Sequence, residues 1–413
     1  MDVVIIGNSA AGLAALEEFR KYDRKSHVVM ISREGVIPYS RVLLPYVLRG
    51  KLPFEGMTIR DEAWFQALDA ECVAGEVTAL DDTCKKVILA DGREWHYDRL
   101  LIATGSHAVM PPIPGIQDER ICNMWTRADA DRLRVYFEKY QKVVVIGSGF
   151  VALQAAWAAR FRGLDVTVVE LMERIMPTVL DETGARILTE KIREKGVKLY
   201  TGAQTREIEH LKDGSFLVHI KGMEPVEAHF LIVGTGVRPA TGWLEGSGVS
   251  VSRGILVDAR MQTSLPGIYG AGDVAEGPTV FGDRHMIHAL WPTAIEMGTI
   301  AGRSMAGVDC PYEGSLNMNV TQMYDVTVAS IGKFNDKEID DASYFDEKAG
   351  KGYLKVCYRD GRVCGACLVG SSDAVTVLGK LRPLIRGGEK ADCTLERLEQ
   401  YVNLRAFASR QMG

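Results

Sequence analysis

The chain has 413 residues, of which 46% are hydrophobic and 25% are charged, and this is enough apolar material for two or three packed domains. Its formal net charge is −5, and its 49 lysine and arginine residues are spread along the sequence instead of forming a basic block. Nucleic-acid binding is therefore not expected, because that function needs a concentrated positive surface.

The first residues, MDVVIIGNSAAG, lead directly from an apolar segment into a glycine turn, without the basic start and cleavage site of a secretory signal. No uninterrupted apolar run approaches the ~20 residues that cross a bilayer. The eight cysteines are spread from Cys72 to Cys393, unlike the dense cysteines of small disulfide-bonded domains. We therefore expect a cytoplasmic protein with reduced thiols and no membrane segment.

The first predicted strand, Val3–Ile6, is apolar on both faces, as a strand covered by helices must be. A glycine turn follows it and opens an amphipathic stretch from Leu13 to Lys21. A strand, turn and helix in this order direct backbone N–H groups at a pyrophosphate, so we predict a dinucleotide cradle. Its predicted residues are Gly7, Ser9, Ala10, Ala11 and Gly12, with Ser9 in place of the usual middle glycine.

The next predicted strand, Val28–Ile31, leads to Glu34, which is the candidate partner for a ribose of the first dinucleotide. Glu34 comes slightly later than the usual spacing.

The same pattern returns in the middle of the chain, where the strand Val143–Ile146 precedes a second glycine turn. The predicted cradle residues here are Gly147, Gly149, Phe150 and Val151, with Ala152 at the third small position. A further strand, Val166–Val169, ends at Glu170, where a carboxylate can accept hydrogen bonds from both ribose hydroxyls. A carboxylate there repels a 2′-phosphate and favours NADH over NADPH, although the nearby Arg174 works against this preference.

Two other patterns suggest metal or redox sites. His285 and His288 have a spacing that could place two imidazoles on one helix face, but no adjacent carboxylate or cysteine completes a metal site. Cys364 and Cys367 have redox-motif spacing, but they lie in the strand-like run Val363–Val369. We expect buried structural thiols and no metal, because a working motif of this kind usually opens a helix.

Three more features, together with the two cradles, resemble the pyridine nucleotide–disulfide oxidoreductases over nearly the whole chain. The strongest is Tyr269-Gly270-Ala271-Gly272-Asp273, where the resemblance implies that Asp273 accepts a hydrogen bond from the FAD ribitol. The second is the pair of crossover signatures, Leu100–Gly105 and Leu231–Pro239. The third is the helix start at Trp291, which resembles the stretch over the flavin ring. The further residues implied are Ala103, Thr104, Gly105, Gly272, Trp291, Thr293 and Ala294 for FAD, and Gly236 for NAD.

The resemblance implies an α/β fold of the glutathione reductase type, with two Rossmann-like dinucleotide-binding domains and a C-terminal α+β interface domain. The FAD domain would be discontinuous, and the C-terminal domain would help to form a homodimer. The implied boundaries are 1–112 and 250–312 for FAD, 113–249 for NAD, and 313–413 for the interface domain.

The segment from Pro38 to Tyr46 is similar to the family's flavin-side helix, where several branches carry a redox cysteine. Here the aligned residue is Val42, which cannot attack a disulfide or form a sulfenic acid. No covalent catalytic residue is therefore expected. The resemblance implies instead that Arg41, Pro45 and Gln154 lie near the flavin or nicotinamide, although Arg41 is as readily an exposed cation and Gln154 a plain helix residue.

The cysteine-free branches of the family transfer electrons from NADH through FAD to a protein acceptor. We therefore expect an FAD-dependent NADH oxidoreductase whose partner is ferredoxin, rubredoxin or an iron–sulfur enzyme. Two alternatives are an NADH oxidase that forms hydrogen peroxide and a redox-sensing flavoprotein whose partner binding responds to NADH.

Overall fold

The computed structural model describes residues 1–282, 284–335, 337, 339–346, 353–370 and 375–388. Its α-helices are α1 (Ala10–Tyr22), α2 (Leu44–Leu48), α3 (Glu62–Ala67), α4 (Arg127–Lys139), α5 (Phe150–Phe161), α6 (Glu182–Glu194), α7 (Trp291–Met305) and α8 (Val375–Gly387). Short 3₁₀ helices cover Arg41–Leu43, Phe54–Met57, Gly242–Leu244 and Gly272–Val274.

The strands in chain order are β1 (Asp2–Ile6), β2 (His27–Ser32), β3 (Ala70–Ala74), β4 (Val77–Asp81), β5 (Lys86–Leu89), β6 (Glu94–His96), β7 (Arg99–Ile102), β8 (Ser106–Ala108), β9 (Ile121–Cys122), β10 (Lys142–Ile146), β11 (Asp165–Val169), β12 (Lys198–Tyr200), β13 (Thr205–His210), β14 (Phe216–Ile220), β15 (Val226–Ala228), β16 (Phe230–Val233), β17 (Val237–Pro239), β18 (Ile255–Leu256), β19 (Ile268–Gly270), β20 (Ala275–Pro278), β21 (His285–Met286), β22 (Met318–Met323), β23 (Val326–Gly332), β24 (Asp341–Asp346), β25 (Tyr353–Arg359) and β26 (Arg362–Gly370).

The first parallel sheet has the strand order β19-β7-β1-β2-β3. Its central strand β1 pairs in parallel with β2 on one side and β7 on the other. Val3, Val4 and Ile5 are buried, as expected for a strand that is covered on both faces. The strand order reverses at β1, and a ligand in such a sheet binds at the carboxyl end of the strands where this reversal occurs.

The second parallel sheet repeats this arrangement with the order β12-β11-β10-β16-β9. Its central strand β10 pairs in parallel with β11 and with β16. The glycine turn at Gly147 therefore occupies the same place in the second sheet as the turn at Gly7 does in the first. The prediction of two Rossmann-like units in an α/β fold is confirmed.

The C-terminal part of the chain contains an antiparallel sheet with the order β22-β23-β26-β25-β24, followed by α8. This agrees with the predicted α+β domain. Cys364 and Cys367 lie within β26 and are buried, as the strand-like run around them predicts.

The two histidines do not share a helix face, although their spacing would have allowed it. His285 lies in the two-residue strand β21, and His288 lies in the connection before α7. A spacing of three residues is compatible with a helix but does not require one. The segment from Pro38 to Tyr46 likewise forms only a 3₁₀ turn over Arg41–Leu43 and the start of the short helix α2.

The chain divides into two compact units, which we describe separately. The first contains residues 1–43, 52–108 and 237–316, and the second contains residues 44–51 and 109–236 with the described residues from 317 onward. Within the described ranges, we find no helix with the length and hydropathy needed to cross a membrane.

Candidate dinucleotide-binding sites

The first glycine turn follows β1 directly and is held tightly against β7. Gly7 has a φ of +109°, and a Cβ atom at this position would lie 2.2 Å from the carbonyl oxygen of Ala103. A Cβ at Gly12 would lie 1.9 Å from the carbonyl oxygen of Gly7. A side chain at either glycine would force the backbone to move. Because both positions lack one, the peptide groups of the turn can lie close to a ligand above it.

Small residues bring the first turn of α1 close to the 3₁₀ helix Gly272–Val274 and to α7. A Cβ at Gly272 would lie 3.2 Å from the Ala11 Cβ and 3.6 Å from the Ala294 Cβ. Gly298 of α7 is closer still, because its Cβ would lie 2.2 Å from the carbonyl oxygen of Ala11. The amino-terminal half of α7, with Trp291, Thr293 and Ala294, is thereby brought beside the first cradle.

Asp273 follows Gly272 and is partly buried. Ser106 Oγ donates a hydrogen bond to Asp273 Oδ2 at 2.9 Å. Burial raises the pKa of Asp273, while the bond from Ser106 and the charge of Arg41 oppose the rise. The carboxylate thus has acceptor capacity left for a ligand hydroxyl.

The loop after β7 also belongs to the first unit. Gly105 has a φ of +68°. Thr104 Oγ1 donates to the carbonyl oxygen of Ala240 at 3.1 Å. These residues and Ala103 connect β7 to β8, which pairs antiparallel with β17.

The carboxylate of Glu34 already has hydrogen-bond partners within the protein. It accepts hydrogen bonds from the Tyr39 hydroxyl and from the Arg41 guanidinium, which also lies over the Tyr39 ring. Asn8 connects the cradle to this region, because its Nδ2 donates to the carbonyl oxygen of Gly35 at 2.9 Å. A ribose hydroxyl would therefore share Glu34 with Arg41 and Tyr39. The neighbouring Val42 is 58% exposed.

Helix capping separates the predicted cofactor helices α1, α5 and α7 from α3, α4 and α6. In α3, α4 and α6 the side chains of Asp61, Thr126 and Asp181 accept hydrogen bonds from first-turn N–H groups. In α1, α5 and α7 no side-chain cap bond is found, and their first turns contain no acidic residue. The first N–H groups of a helix have no partner within the helix, so these three helix starts are suited to bind anionic groups.

The second glycine turn repeats the geometry of the first. Gly147 has a φ of +102°, and its Cβ would lie 2.4 Å from the carbonyl oxygen of Gly234. A Cβ at Gly149 would meet nothing within 4 Å, because Gly149 borders open space at the start of α5. Phe150 and Val151 form the first turn of α5, and Gly236, with a φ of +110°, follows β16. The space beside Gly149 at the start of α5 is therefore open to a ligand.

Glu170 lies at the carboxyl end of β11 and is 8% exposed. Ser148 Oγ donates to its Oε2 at 2.6 Å, and the Met172 N–H donates to its Oε1 at 2.7 Å. The carboxylate is thus fixed beside the second glycine turn. Arg174 Nε is buried and has no hydrogen-bond partner among the described residues.

Gln154 and Pro45 both belong to the second unit and are buried. Gln154 Nε2 donates to Thr321 Oγ1 of β22 at 2.6 Å. Pro45 lies in α2, and its carbonyl oxygen accepts a hydrogen bond from Arg49 Nε at 3.2 Å. The Arg49 guanidinium packs over the rings of Tyr46 and Trp157.

Three buried thiols are unsuited to nucleophilic chemistry at neutral pH. Burial raises the pKa of Cys122, Cys357 and Cys367 to about 12. Cys364 Sγ donates to the carbonyl oxygen of Lys333 at 3.6 Å. Cys393 lies outside the described residues.

Sequence reasoning missed Ser106, Ser148 and Thr321, each of which binds a predicted site residue. Ser148 fills the unspecified position between two glycines, where any residue satisfies the pattern. Ser106 and Thr321 are both 167 residues from their partners, so no local pattern reveals these contacts.

Comparison with known proteins identifies the family. The pyridine nucleotide-disulphide oxidoreductase family matches residues 1–298, which is more than half of the chain. The chain belongs to this family. This pyridine nucleotide-disulphide oxidoreductase is an enzyme whose cofactors are FAD and NAD(H), and its two glycine cradles fit two dinucleotides.

Three curated relatives differ in how much of their own length this chain matches. The chain is 33% identical to the epsilon subunit of NADH-dependent phenylglyoxylate dehydrogenase from Aromatoleum evansii, with 88% of this chain and 86% of the relative covered. It is 31% identical to nitrite reductase [NAD(P)H] from Bacillus subtilis (strain 168), covering 90% of this chain but only 46% of that protein. It is 28% identical to a ferredoxin–NAD(P)(+) reductase from Sphingomonas sp., with 91% of each covered.

A solved structure supports the fold over the full length. The NAD-dependent persulfide reductase from A. fulgidus superposes with a TM-score of 0.88 at 27% identity, covering 100% of this chain and 84% of that chain.

Proposed function

We propose that this oxidoreductase passes electrons from NADH to a protein acceptor, which is ferredoxin, rubredoxin or an iron–sulfur partner enzyme. FAD, when bound, supplies the step between two-electron chemistry with NADH and one-electron chemistry with such an acceptor. The proposal depends most on Val42, which provides no thiol at the position where other branches of the family hold a redox cysteine. Similarity to a ferredoxin reductase and to a subunit of an NADH-dependent dehydrogenase supports it.

The proposed FAD site is the cradle of the first unit. The first-turn N–H groups of α1 would bind the pyrophosphate, since no side chain caps them. Asp273 would accept a hydrogen bond from the ribitol, and Glu34 would accept one from the adenosine ribose. The start of α7 would direct its positive end at the flavin ring. The residues proposed are Gly7, Ser9, Ala10, Ala11, Gly12, Glu34, Arg41, Ala103, Thr104, Gly105, Gly272, Asp273, Trp291, Thr293 and Ala294.

The proposed NADH site is the cradle of the second unit. Gly147 and Gly149 would keep the backbone close to the pyrophosphate, and the first turn of α5 would donate N–H groups to it. Glu170 would accept hydrogen bonds from the adenosine ribose hydroxyls and repel a 2′-phosphate, so NADH is the preferred nucleotide. Gly236 would allow close approach of the ligand to the loop after β16.

We also propose the domain division stated from the sequence, a homodimer formed through the C-terminal domain, and a cytoplasmic location. Sedimentation of the FAD-loaded protein would test the dimer, with twice the monomer mass expected and the monomer mass as the contrary result.

The acceptor is tested by comparing electron acceptors under NADH turnover. FAD-loaded protein is mixed with NADH and with ferredoxin, rubredoxin or oxygen, and NADH consumption is followed. We expect a protein acceptor to exceed oxygen in kcat/KM. If oxygen exceeds every protein acceptor and hydrogen peroxide accumulates, the enzyme is an NADH oxidase and the proposal is wrong.

A further inference from the structure

The loop that joins β11 to α6 folds back onto the second glycine turn. Within this loop, the Met176 N–H donates to Ser148 Oγ at 3.4 Å and to the Ser148 carbonyl oxygen at 3.3 Å. A serine hydroxyl has a single hydrogen, and Ser148 donates it to Glu170 Oε2 at 2.6 Å. Met176, Ser148 and Glu170 therefore form a directed chain of hydrogen bonds that ends at the proposed ribose acceptor.

Met176 has a backbone conformation that its neighbours must maintain. Its φ is +46°, in the left-handed region, and the residue is 1% exposed. Its carbonyl oxygen accepts hydrogen bonds from the N–H groups of Val179 and Leu180, both at 2.9 Å. Such a conformation is costly for a residue with a side chain and persists only where the surrounding structure holds it. The position of Met176 thus depends on the residues that follow it in the loop.

Two side chains from the C-terminal part of the second unit hold the far end of this loop. Asn335, which follows β23, donates from Nδ2 to the Leu180 carbonyl oxygen at 3.1 Å. Tyr353, the first residue of β25, donates its hydroxyl hydrogen to Asp181 Oδ2 at 2.5 Å. The loop is therefore held by the glycine turn on one side and by Asn335 and Tyr353 on the other.

Asp181 uses its two carboxylate oxygens for different elements. Its Oδ1 accepts the Gly184 N–H and caps α6, whereas its Oδ2 accepts the hydroxyl hydrogen of Tyr353. Lys355 Nζ lies 3.7 Å from Oδ2, and the side chains of Lys355 and Asp181 are only 14% and 13% exposed. Solvent screens a contact between such buried charges only weakly. The end of the loop, the start of α6 and β25 are thus fixed to one another.

We propose that Tyr353 and Asn335 are positioning residues for the nucleotide. They hold the loop after β11, and the loop in turn holds Met176 against Ser148. Ser148 then fixes the Glu170 carboxylate that accepts the adenosine ribose. The inference rests on the proposed binding of NADH to the second cradle. It gives the C-terminal domain a part in nucleotide affinity, in addition to the proposed dimer.

The test measures anaerobic reduction of the FAD-loaded protein over a series of NADH concentrations. Tyr353→Phe and Asn335→Ala each remove side-chain contacts to the loop, and Asn335 is exposed, so its replacement should leave the fold intact. We expect the NADH concentration at half-saturation to rise about fivefold in each variant. The limiting rate at saturating NADH should stay within about twofold of the wild type, because the effect lies in nucleotide binding.

A double-mutant cycle shows whether the effect passes through Glu170. Glu170→Ala removes the acceptor, and the reduction rate per unit of NADH at low concentration is compared with and without Tyr353→Phe. This rate can be measured even when NADH binds weakly. Tyr353→Phe should lower it about fivefold when Glu170 is present and by less than about twofold in the Glu170→Ala background.

Cys357→Ala is the matched control for a general weakening of the C-terminal sheet. Cys357 is buried in the same strand as Tyr353, and its thiol donates to the Phe334 carbonyl oxygen, outside the loop. The variant therefore loses one buried hydrogen bond of β25 and keeps the bond between Tyr353 and Asp181. Its half-saturating NADH concentration should match that of the wild type.

An unchanged half-saturating concentration in one of the two variants would exclude that residue, and an unchanged value in both would overturn the proposal. An equal loss from Tyr353→Phe with and without Glu170 would also overturn it, as would a comparable rise in Cys357→Ala. If NADH does not reduce the flavin of the wild type at all, the proposed function itself fails, and this result is distinct from the others.

Discussion

Ser148 and Glu170 are joined by a hydrogen bond of 2.6 Å from Ser148 Oγ to Glu170 Oε2. This bond couples the second glycine turn to the carboxylate at the end of the next strand, 22 residues further along. The proposed pyrophosphate and ribose contacts are therefore held in one fixed arrangement.

The charge of Glu170 should set the choice between NADH and NADPH. Glu170→Gln keeps an acceptor for the Met172 N–H and a partner for Ser148, but it removes the negative charge. We expect the NADH preference, measured as the ratio of kcat/KM values, to fall about tenfold, which corresponds to roughly 1.4 kcal/mol of repulsion.

Ser148→Ala is the matched control for this change, because it removes the hydrogen bond and leaves the charge. The ratio should stay within about twofold of the wild type. An unchanged ratio in Glu170→Gln would exclude Glu170 as the residue that selects the nucleotide.

Two glycines of the second turn should respond differently to alanine. Gly147→Ala places a Cβ 2.4 Å from the carbonyl oxygen of Gly234 at a φ of +102°, so we expect a loss of about 3 kcal/mol in unfolding free energy. Gly149→Ala meets open space at a φ of −71°, and its stability should stay within about 0.5 kcal/mol of the wild type.

The new methyl group of Gly149→Ala would lie where we place the pyrophosphate, so NAD⁺ affinity should fall about tenfold while the fold is kept. Urea titration and NAD⁺ titration of both variants separate the two effects. A Gly149→Ala variant that binds NAD⁺ as tightly as the wild type would contradict the placement of the phosphates.

His288 should make the stability of the protein depend on pH. Burial, assisted by the charge of Arg284, lowers the pKa of His288 from 6.5 to about 4, and its Nδ1 is bonded to Ser315 Oγ at 2.7 Å. Between these pKa values the unfolded chain takes up a proton that the folded protein does not, so stability falls as pH is lowered.

From pH 7.5 to pH 5 the wild type should lose about 2 kcal/mol more than His288→Gln, whose amide can still bond to Ser315. The measurement is the urea midpoint of each protein at both pH values. Parallel pH dependence in the two proteins would show that His288 titrates normally.

Thiol alkylation should leave the enzyme active. Among the described cysteines Cys84 is exposed, whereas Cys122, Cys357, Cys364 and Cys367 are buried. Iodoacetamide at neutral pH should modify Cys84 before the buried thiols, without changing the rate of flavin reduction by NADH. If the rate of flavin reduction falls in proportion to the modification of one thiol, that cysteine is essential. The variant Cys84→Ser then shows whether the essential thiol is Cys84.

The sequence was sufficient to predict the strands and helices around both glycine turns, because an apolar run followed by glycine has few alternatives to a buried strand that ends in a tight turn. The segment before α7 was less predictable, since the spacing of His285 and His288 fits a helix as well as the short strand that forms. Contacts such as Ser106 with Asp273 depend on how distant segments pack, and the sequence contains no local trace of them. The capping difference between α1, α5 and α7 on one side and α3, α4 and α6 on the other also emerged only from the hydrogen bonds.

NADH should deliver its electrons to FAD bound by this chain. The most direct test is anaerobic stopped-flow mixing of the FAD-loaded protein with NADH while the visible absorbance of the flavin is recorded. We predict bleaching within the turnover time of the enzyme, and slower bleaching with NADPH at the same concentration. Protein that binds FAD and keeps its full flavin absorbance in the presence of excess NADH would show that NADH does not reduce the bound flavin.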